Sequence, residues 1–352
     1  MKREHKSLET FLTGSPIYKL GEPILITFEI KNTSNKTYQI LKWDTPLEQK
    51  IYDDFLTLQY DGQTLAYDGK FVKRGNPSLE SYAIIRPGEQ LKETVDISKV
   101  YPIYKPGDYT ATLTSSLKDV FTITGNTKEA PRSRQNHEPH SLDSPKIHFK
   151  VIEDGQPKLT LGELARQENQ IKKISLKAQG PNFNGGTSTQ QADTIIAHNN
   201  AQHFAELSAS QLQGTAASTN SLYQEWFGAF DQTRYDTVSK HYTDISNTLN
   251  SEQVTYDLSG TSCPPDTFAY THKGDRTIWL CGLYLNAPQS GIDCKFGTLV
   301  HEWSHAVCST DDNAYGEPAC HNLATTDPST AICNADSHEY FAEHLAQSTP
   351  KQ

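Results

Sequence analysis

The chain has 352 residues, of which 35% are hydrophobic, and a formal net charge of −10. This length is sufficient for two domains, each with its own hydrophobic core. No run approaches the roughly 18 apolar residues that a transmembrane helix needs, so no membrane-spanning segment is predicted.

Negative charge is concentrated in the second half of the chain. Residues 1–160 carry 22 Lys and Arg against 21 Asp and Glu, a net charge of +1, whereas residues 161–352 carry 10 against 21, a net charge of −11. An acidic surface repels phosphates, so nucleic acid is not expected as a partner. It favours cationic substrates, although the need for solubility alone also explains it.

The cysteines favour export, because an even number of them in one block suggests disulfides formed in an oxidising compartment. All lie in the last 90 residues: Cys263, Cys281, Cys294, Cys308, Cys320 and Cys333. Reduced, buried thiols are the alternative interpretation. The first residues, MKREHKS, resemble the charged start of a signal peptide, but no apolar segment follows. We therefore predict a secreted protein whose signal peptide is not contained in this sequence.

Residues 15–124 are predicted to form β-structure. Short apolar or alternating runs, ILITFEI, TYQILKW, FLTLQY and YTATL, are separated by turn signals such as NTSN, YDGQ and RPGEQ. After a polar loop at residues 125–145, one more strand, KIHFKVI, is predicted. Strands at this spacing predict an antiparallel, Ig-like β-sandwich domain over residues 1–152.

Residues 153–180 are polar and rich in lysine, and we interpret them as a linker. Helical periodicity follows in TQQADTIIAHNNAQHFAELSASQL and RYDTVSKHYTDISNTL, then the short strands VTYDL, TFAYTH and TIWLCGLYL, then a helix with GTLVHEWSHAV. The pattern predicts a mainly α second domain with a small sheet over residues 181–352, and an α+β chain overall.

The segment His301-Glu302-Trp303-Ser304-His305 fits the pattern H-E-x-x-H. Two histidines four residues apart share one face of a helix and can bind one zinc ion, with Glu302 as the general base towards the metal-bound water. Zinc lowers the pKa of that water to about 7, and the water then attacks a peptide carbonyl. A surface helix with two unconnected histidines is the alternative, because the pattern alone is only moderately specific.

A catalytic zinc site needs a third protein ligand. The segments GTLVHEWSH, TDDNAYG and NADSHEYF together resemble the aspzincin metallopeptidases, the family of deuterolysins and peptidyl-Lys metalloendopeptidases, over roughly residues 180–345. The resemblance implies Asp312 as the third ligand and Tyr315 as a hydrogen-bond donor to the oxyanion. Asp311 stays an alternative ligand, and Ser309 stands where the family usually has Gly.

Peptidyl-Lys members cleave before lysine, and the resemblance places two acids, here Asp336 and Glu339, in the pocket for that lysine. Their spacing puts them on one helix face, where they could clamp an ammonium group. The alternative is a helix N-terminus enriched in acids that complement the helix dipole. We interpret the neighbouring His338 and His344 as surface residues.

The resemblance also implies a Cys263–Cys281 disulfide. Of the remaining cysteines, Cys294 and Cys308 flank the zinc helix and lie about 18 Å apart, too far for a bridge. We therefore expect Cys294 to pair with Cys320 or Cys333, and Cys308 to pair with the other.

Bacterial aspzincins often carry an N-terminal propeptide domain, which LKWDTPLE, YDGKFVKRGNP and PGDYTATL resemble. We predict that residues 1 to about 172 act as an inhibitor, removed by cleavage at Ile171–Lys172, Lys172–Lys173 or Leu176–Lys177, with Lys70 or Lys73 in the acidic pocket beforehand. A permanent binding module is the alternative.

The predicted function is a secreted zinc endopeptidase, made as a zymogen, that cleaves proteins and peptides before Lys and uses one catalytic zinc ion. The rivals are a deuterolysin-like protease of broader specificity and a non-catalytic, zinc-containing adhesion protein.

Overall fold

The computed structural model describes residues 7–172, 180–214 and 217–348. The chain forms two compact units, one of Met1–Lys70 with Asn76–Leu164 and one of Phe71–Gly75 with Ala165–Gln352. The predicted domain boundaries at residues 152 and 180 stay predictions. None of the described helices has the length and hydrophobicity needed to span a lipid bilayer.

The strands, in chain order, are β1 (Leu8–Gly14), β2 (Ile17–Lys19), β3 (Leu25–Asn32), β4 (Thr37–Leu41), β5 (Leu56–Tyr60), β6 (Gln63–Leu65), β7 (Phe71–Arg74), β8 (Tyr82–Ile85), β9 (Gln90–Asp96), β10 (Gly107–Leu113), β11 (Ser116–Leu117), β12 (Val120–Ile123), β13 (His140–Ser141), β14 (Ile147–Ile152), β15 (Asn182–Asn184), β16 (Thr255–Asp257), β17 (Thr267–Thr271) and β18 (Thr277–Leu280). The α-helices are α1 (Leu161–Lys172), α2 (Ser188–Gly214), α3 (Ser221–Phe227), α4 (Gln232–Ser251), α5 (Gly282–Asn286), α6 (Lys295–Cys308), α7 (Glu317–Thr326), α8 (Pro328–Ala331) and α9 (Ala335–Ser348).

The first unit is built from sheets with the strand orders β1-β3-β9, β2-β14-β10-β5-β6, β12-β4-β8 and β11-β13. Pairing is antiparallel throughout these sheets except between β2 and β14. The strands bury alternate side chains, as expected for sheets with one face towards a core. In β3, for example, Ile26, Phe28 and Ile30 are fully buried and the residues between them are not. The predicted strands are present as β3, β4, β5, β10 and β14. The Ig-like sandwich stays a prediction.

The segment predicted as a linker, residues 153–180, contains helix α1. Its start is a capping box: the Thr160 hydroxyl accepts a hydrogen bond from the Glu163 N–H at 3.2 Å, and the Glu163 carboxylate accepts one from the Thr160 N–H at 3.0 Å. The T-L-G-E sequence carries this signal. The predicted cleavage bonds at Lys173 and Lys177 lie outside the described residues, as do the side chains at 171 and 172.

The second unit combines a sheet of order β15-β16-β18-β17-β7 with a helical core. Strands β15, β16 and β18 are parallel, whereas β17 is antiparallel to both β18 and β7. Helix α6 packs against α2, α4 and α9. Large side chains from these helices and from α3, among them Trp226, Tyr242, Trp303 and Phe341, are fully buried in one cluster. The mixture of helix and sheet is compatible with the predicted α+β class.

The predicted disulfide Cys263–Cys281 is present. The other predicted pairings are wrong, since the remaining cysteines are in the thiol form. Three of these four sulfurs have separate contacts: Cys294 accepts a hydrogen bond from the Gly297 N–H, Cys308 donates to the carbonyl of residue 241, and Cys320 donates to the Ala314 carbonyl. These sulfurs therefore serve as caps and donors in the packed interior.

Candidate active site

Helix α6 carries the H-E-x-x-H residues. It begins at Cys294, whose thiol accepts a hydrogen bond from the Gly297 N–H at 3.4 Å, and ends at Ser309 in the left-handed region, with φ 61° and ψ 31°. Glycine adopts this conformation without steric cost. This explains why the family that the sequence resembles usually has Gly at this position. From Lys295 to Ala306 every residue of α6 is buried.

His301, His305 and Asp312 converge on one point. The Nε2 atoms of the two imidazoles are 3.2 Å apart, and Oδ1 of Asp312 lies 3.2 Å from that of His301 and 3.3 Å from that of His305. All three side chains are almost fully buried. They form a three-residue group that could hold a metal ion.

The outer nitrogens of both imidazoles face acceptors. Nδ1 of His305 lies 2.8 Å from the Thr310 carbonyl oxygen, and Nδ1 of His301 lies 2.9 Å from Oδ1 of Asp336. Such contacts fix the ring orientation of metal-binding histidines. Burial lowers the pKa of His301, but the nearby carboxylates of Asp312, Asp336 and Glu339 outweigh it and raise that pKa well above its ordinary value.

The carboxylate of Asp312 is held ionised. Burial raises its pKa, yet the imidazoles of His305 and His301 outweigh burial and keep the pKa well below its ordinary value. Asp311 points elsewhere, because its Oδ1 lies 2.5 Å from the Lys273 ammonium and its side chain is 45% exposed. Of the two acids predicted as alternatives, Asp312 is the one beside the imidazoles.

Glu302 is fully buried, and neither carboxylate oxygen has a hydrogen-bond partner within the part of the chain that the structure describes. Burial raises its pKa to about 8, with smaller opposing effects from nearby cations. Buried polar groups almost always have hydrogen-bond partners in folded proteins, so this carboxylate is expected to bind a ligand or a water molecule.

The loop after α6 is fastened to the start of α9. The Gly316 N–H donates to Oδ2 of Asp336 at 2.8 Å, and the Ala314 N–H donates to the side chain of Asn334 at 2.9 Å. Tyr315 lies between these two contacts and is 5% exposed. These two hydrogen bonds therefore hold the loop that carries Asp312 and Tyr315 against the start of α9, where Asp336 lies.

The ammonium group of Lys73 lies in an acidic pocket beside the group of His301, His305 and Asp312. Nζ of Lys73 lies 2.5 Å from Oε2 of Glu339, 3.4 Å from Oδ1 of Asp293 and 3.8 Å from Oδ1 of Asp336. The side chains of Lys73, Glu339 and Asp336 are fully buried. The ring centroid of Phe268 lies 5.3 Å from the ammonium. Of the two predicted pocket acids, Glu339 makes the direct ion pair, and Asp336 also contacts His301.

The fold also brings two acids to the pocket that sequence reasoning missed. Asp293 adopts a left-handed backbone, with φ 53°, directly before α6. Buried Glu343 accepts hydrogen bonds from the N–H groups of Asp293, at 3.1 Å, and Cys294, at 2.9 Å. Burial, followed by the charge of Glu339, raises the pKa of Glu343 well above its ordinary value. In the sequence, the i, i+4 spacing of Glu339 and Glu343 already indicates that Glu343 lies on the same helix face as Glu339.

The chain is similar in sequence to known metalloendopeptidases. The profile of the aspzincin family, described as lysine-specific metallo-endopeptidase, matches residues 212–343. The chain is 29% identical to an extracellular protease of Aeromonas hydrophila, over 92% of this chain and 88% of that protein. It is 32% identical to a peptidyl-Lys metalloendopeptidase of Grifola frondosa, over 90% of this chain and 86% of that protein. The chain belongs to the aspzincin family.

Membership in the aspzincin family makes the protein a metalloendopeptidase, as the sequence predicted. A solved zinc peptidase from Grifola frondosa is 39% identical, and the match covers 46% of this chain and 98% of that one, with a TM-score of 0.42.

One of the two histidine predictions in this aspzincin, that for His338, is wrong. His338 is fully buried, with Nδ1 3.0 Å from the Asn334 carbonyl oxygen and Nε2 3.0 Å from Nδ1 of His241. His344 is partly buried, 2.8 Å from the carboxylate of Glu317. Polarity favoured the surface, but every residue of α9 from Ala335 to Glu343 is buried.

Proposed function

We propose that the chain is the zymogen of a secreted zinc endopeptidase that cleaves peptide bonds on the N-terminal side of lysine. One observation carries the proposal: the buried ammonium of Lys73 lies in a pocket of carboxylates, and one of those carboxylates, Asp336, is 2.9 Å from the candidate metal ligand His301. The names of the Grifola frondosa and Armillaria mellea relatives, both peptidyl-Lys metalloendopeptidases, support the same specificity.

The donor set fits zinc. Ligand atoms about 2.0–2.1 Å from a tetrahedral ion lie about 3.3 Å from one another. The donor atoms of His301, His305 and Asp312 lie 3.2–3.3 Å apart, and two imidazoles with one carboxylate leave a fourth position open. When bound, zinc lowers the pKa of a water molecule to about 7 and polarises the carbonyl of the scissile bond.

Glu302 is the proposed general base. Its carboxylate takes a proton from the attacking water and delivers it to the nitrogen of the departing amine. Burial raises its pKa to about 8 and thus brings it close to neutral pH, where proton transfer in both directions is efficient. Tyr315 is proposed, from the family resemblance, to donate its phenol proton in a hydrogen bond to the carbonyl oxygen as charge develops there.

Lysine selection follows from burial. Transfer of an ammonium group from water to a closed pocket is unfavourable unless the group is paired with an opposite charge. Buried carboxylates likewise need a cation, so a pocket lined by them binds a lysine side chain in preference to a neutral one. Glu339 supplies the direct ion pair, and Asp293 and Asp336 add negative charge within 4 Å. We propose that all three acids surround the ammonium of the substrate lysine.

Latency before processing is part of the proposal. Lys73 belongs to a five-residue segment, Phe71–Gly75, whose neighbours in the sequence on both sides belong to the first unit. While this segment occupies the pocket, no substrate lysine can enter it. The first unit is therefore proposed as the inhibitor, removed after export by cleavage at the lysines near residue 172. The relative named extracellular protease supports the export.

Zinc content and proteolysis of the Glu302→Gln variant test this function. The protein is expected to bind one zinc ion per chain, and the variant to keep that ion while it loses proteolysis of an unstructured protein by at least about 10²-fold, the usual contribution of a general base. Unchanged proteolysis in the variant would refute the mechanism. Measurable zinc with no proteolysis in either protein, after removal of the first unit, would favour a purely structural metal.

A further inference from the structure

Strand β7 is bound within the second unit as an extended peptide. It lies at the edge of the sheet and pairs antiparallel with β17, with Lys73 opposite Ala269 and Val72 opposite Tyr270. Each of its four residues is buried. Addition of an extended peptide to a sheet edge is a common mode of peptide recognition, in which backbone pairing aligns the chain and pockets select its side chains.

The side chains of β7 contact the candidate ligand His305 and the acidic pocket. Residues two apart in a strand point to the same side. The ring of Phe71 lies 4.9 Å from the ring of His305, and Nζ of Lys73 lies 2.5 Å from Oε2 of Glu339. That same Glu339 oxygen is 3.4 Å from Nδ1 of His301. Phe71 therefore lies beside one candidate ligand, and Lys73 is connected to the other through Glu339.

Strand β7 presents a lysine to the acidic pocket, as a substrate of the proposed enzyme would. An enzyme that cuts before lysine must hold that lysine in the acidic pocket and place the carbonyl of the preceding residue at the metal. Lys73 is in the pocket and Val72 is the preceding residue. The strand continues beyond the pocket as a bound peptide, since the Gly75 N–H donates to the Asp266 carbonyl at 2.7 Å and the Arg74 guanidinium donates to the Pro265 carbonyl at 3.2 Å.

From this arrangement we infer that the Val72–Lys73 peptide bond is a cleavage site of the enzyme within its own chain. The inference rests on the proposed function. One water molecule is consumed: its oxygen bonds to the Val72 carbonyl carbon, the bond from that carbon to the Lys73 nitrogen breaks, and the released nitrogen keeps a proton from the water. The products are a chain that ends in the Val72 carboxylate and a chain that begins with Lys73.

This site differs from the lysines near residue 172 in one respect. The Lys73 side chain already lies in the pocket in the folded chain, so cleavage before this lysine is intramolecular. Its rate constant is then independent of protein concentration, and the segment that blocks the pocket loses its covalent connection to the preceding 72 residues. The strand thus acts as a substrate whose cleavage starts the release of the active site.

The test follows the full chain, purified with a chelator and started by the addition of zinc. Intact-mass and N-terminal analysis are expected to yield a fragment that begins Lys73-Arg74-Gly75, with the same half-life over a 100-fold range of protein concentration. Glu302→Gln is expected to abolish this fragment. Lys73→Ala is expected to reduce cleavage after Val72 at least 100-fold, whereas the matched control Lys99→Ala, at a side chain 66% exposed, leaves it unchanged.

A peptide that contains a single lysine separates this inference from the proposed function. Lys73→Ala opens the pocket to this peptide, and Lys73→Met, a second variant that retains the side-chain volume, removes the ion pair with Glu339 that a substrate lysine would otherwise have to displace. If either variant cleaves the peptide before lysine while the zinc-loaded wild-type chain never yields the fragment, the cleavage site is refuted and the proposed function stands. If the folded, zinc-loaded variants cleave no peptide and the wild-type chain stays intact, both fail. The fragment together with peptide cleavage supports both.

Discussion

Glu339→Gln is the most informative change in the lysine pocket, because it removes one charge and almost no volume. We predict its effect in the protein that also carries Lys73→Ala, so that the pocket is accessible to substrate. Glu339 is fully buried, and its carboxylate lies 2.5 Å from the ammonium that occupies the pocket. Loss of one member of a buried ion pair destabilises the complex by about 3–5 kcal/mol.

Since each 1.4 kcal/mol is a factor of ten, kcat/KM for a lysine peptide is expected to fall about 10²- to 10⁴-fold. The assay compares this peptide with one in which norleucine replaces lysine and retains the aliphatic stem without the charge. The norleucine peptide is expected to change less than about tenfold, since it never forms the ion pair. Asp293→Asn is the matched control: at 3.4 Å and 25% exposed, its loss is expected to be below about fivefold.

A result in which Glu339→Gln lowers kcat/KM equally for the lysine and norleucine peptides would refute this reasoning. Glu339 would then support the structure of the site, for example through its contact with His301, and charge recognition would have to come from another group.

Three further predictions concern other parts of the second unit. Asp312→Asn is expected to weaken zinc binding at least about 10-fold by calorimetry, whereas Asp311→Asn, at the exposed neighbour, leaves it unchanged. Gly297→Ala is expected to lower the melting temperature and destabilise the fold by about 1–3 kcal/mol, because the new Cβ would lie 1.9 Å from Oε1 of Glu343. At a helix position without such a clash, the same substitution would instead stabilise the protein by about 1 kcal/mol. Burial lowers the pKa of His241 to about 4. Between pH 4 and pH 6.5 the unfolded chain therefore binds more protons at this residue than the folded chain, and the free energy of unfolding falls as the pH falls. His241→Asn is expected to reduce this loss of stability, measured by urea titrations at pH 7 and pH 5.

The convergence of the two candidate metal ligands on α6 was predictable because the sequence information for it is local. His301 and His305 are one helical turn apart, and the helix that carries them has clear apolar periodicity. Asp312 required the additional resemblance, since two adjacent acids are equivalent in spacing. The difference between them depends on the loop, in which Asp311 turns towards Lys273.

The occupant of the pocket was harder to predict. Strand β7 pairs with β17 across nearly 200 residues of sequence, and its letters, FVKR, have no periodicity that assigns them to the second unit. Asp293 contributes through a left-handed backbone conformation, which no side-chain pattern predicts. His338 was misplaced because polar sequence usually indicates solvent, whereas here the polar face of α9 lines a buried site.

Cleavage-site mapping on an unstructured protein tests the central claim most directly. The zinc-loaded Lys73→Ala protein would digest this substrate, and the new N-termini would be sequenced. A buried carboxylate pocket next to the metal ligands predicts that nearly all new N-termini are lysine, and that Glu302→Gln produces none. New N-termini that follow the amino-acid composition of the substrate would contradict the account, because the acids at 293, 336 and 339 would then not select the residue after the cut.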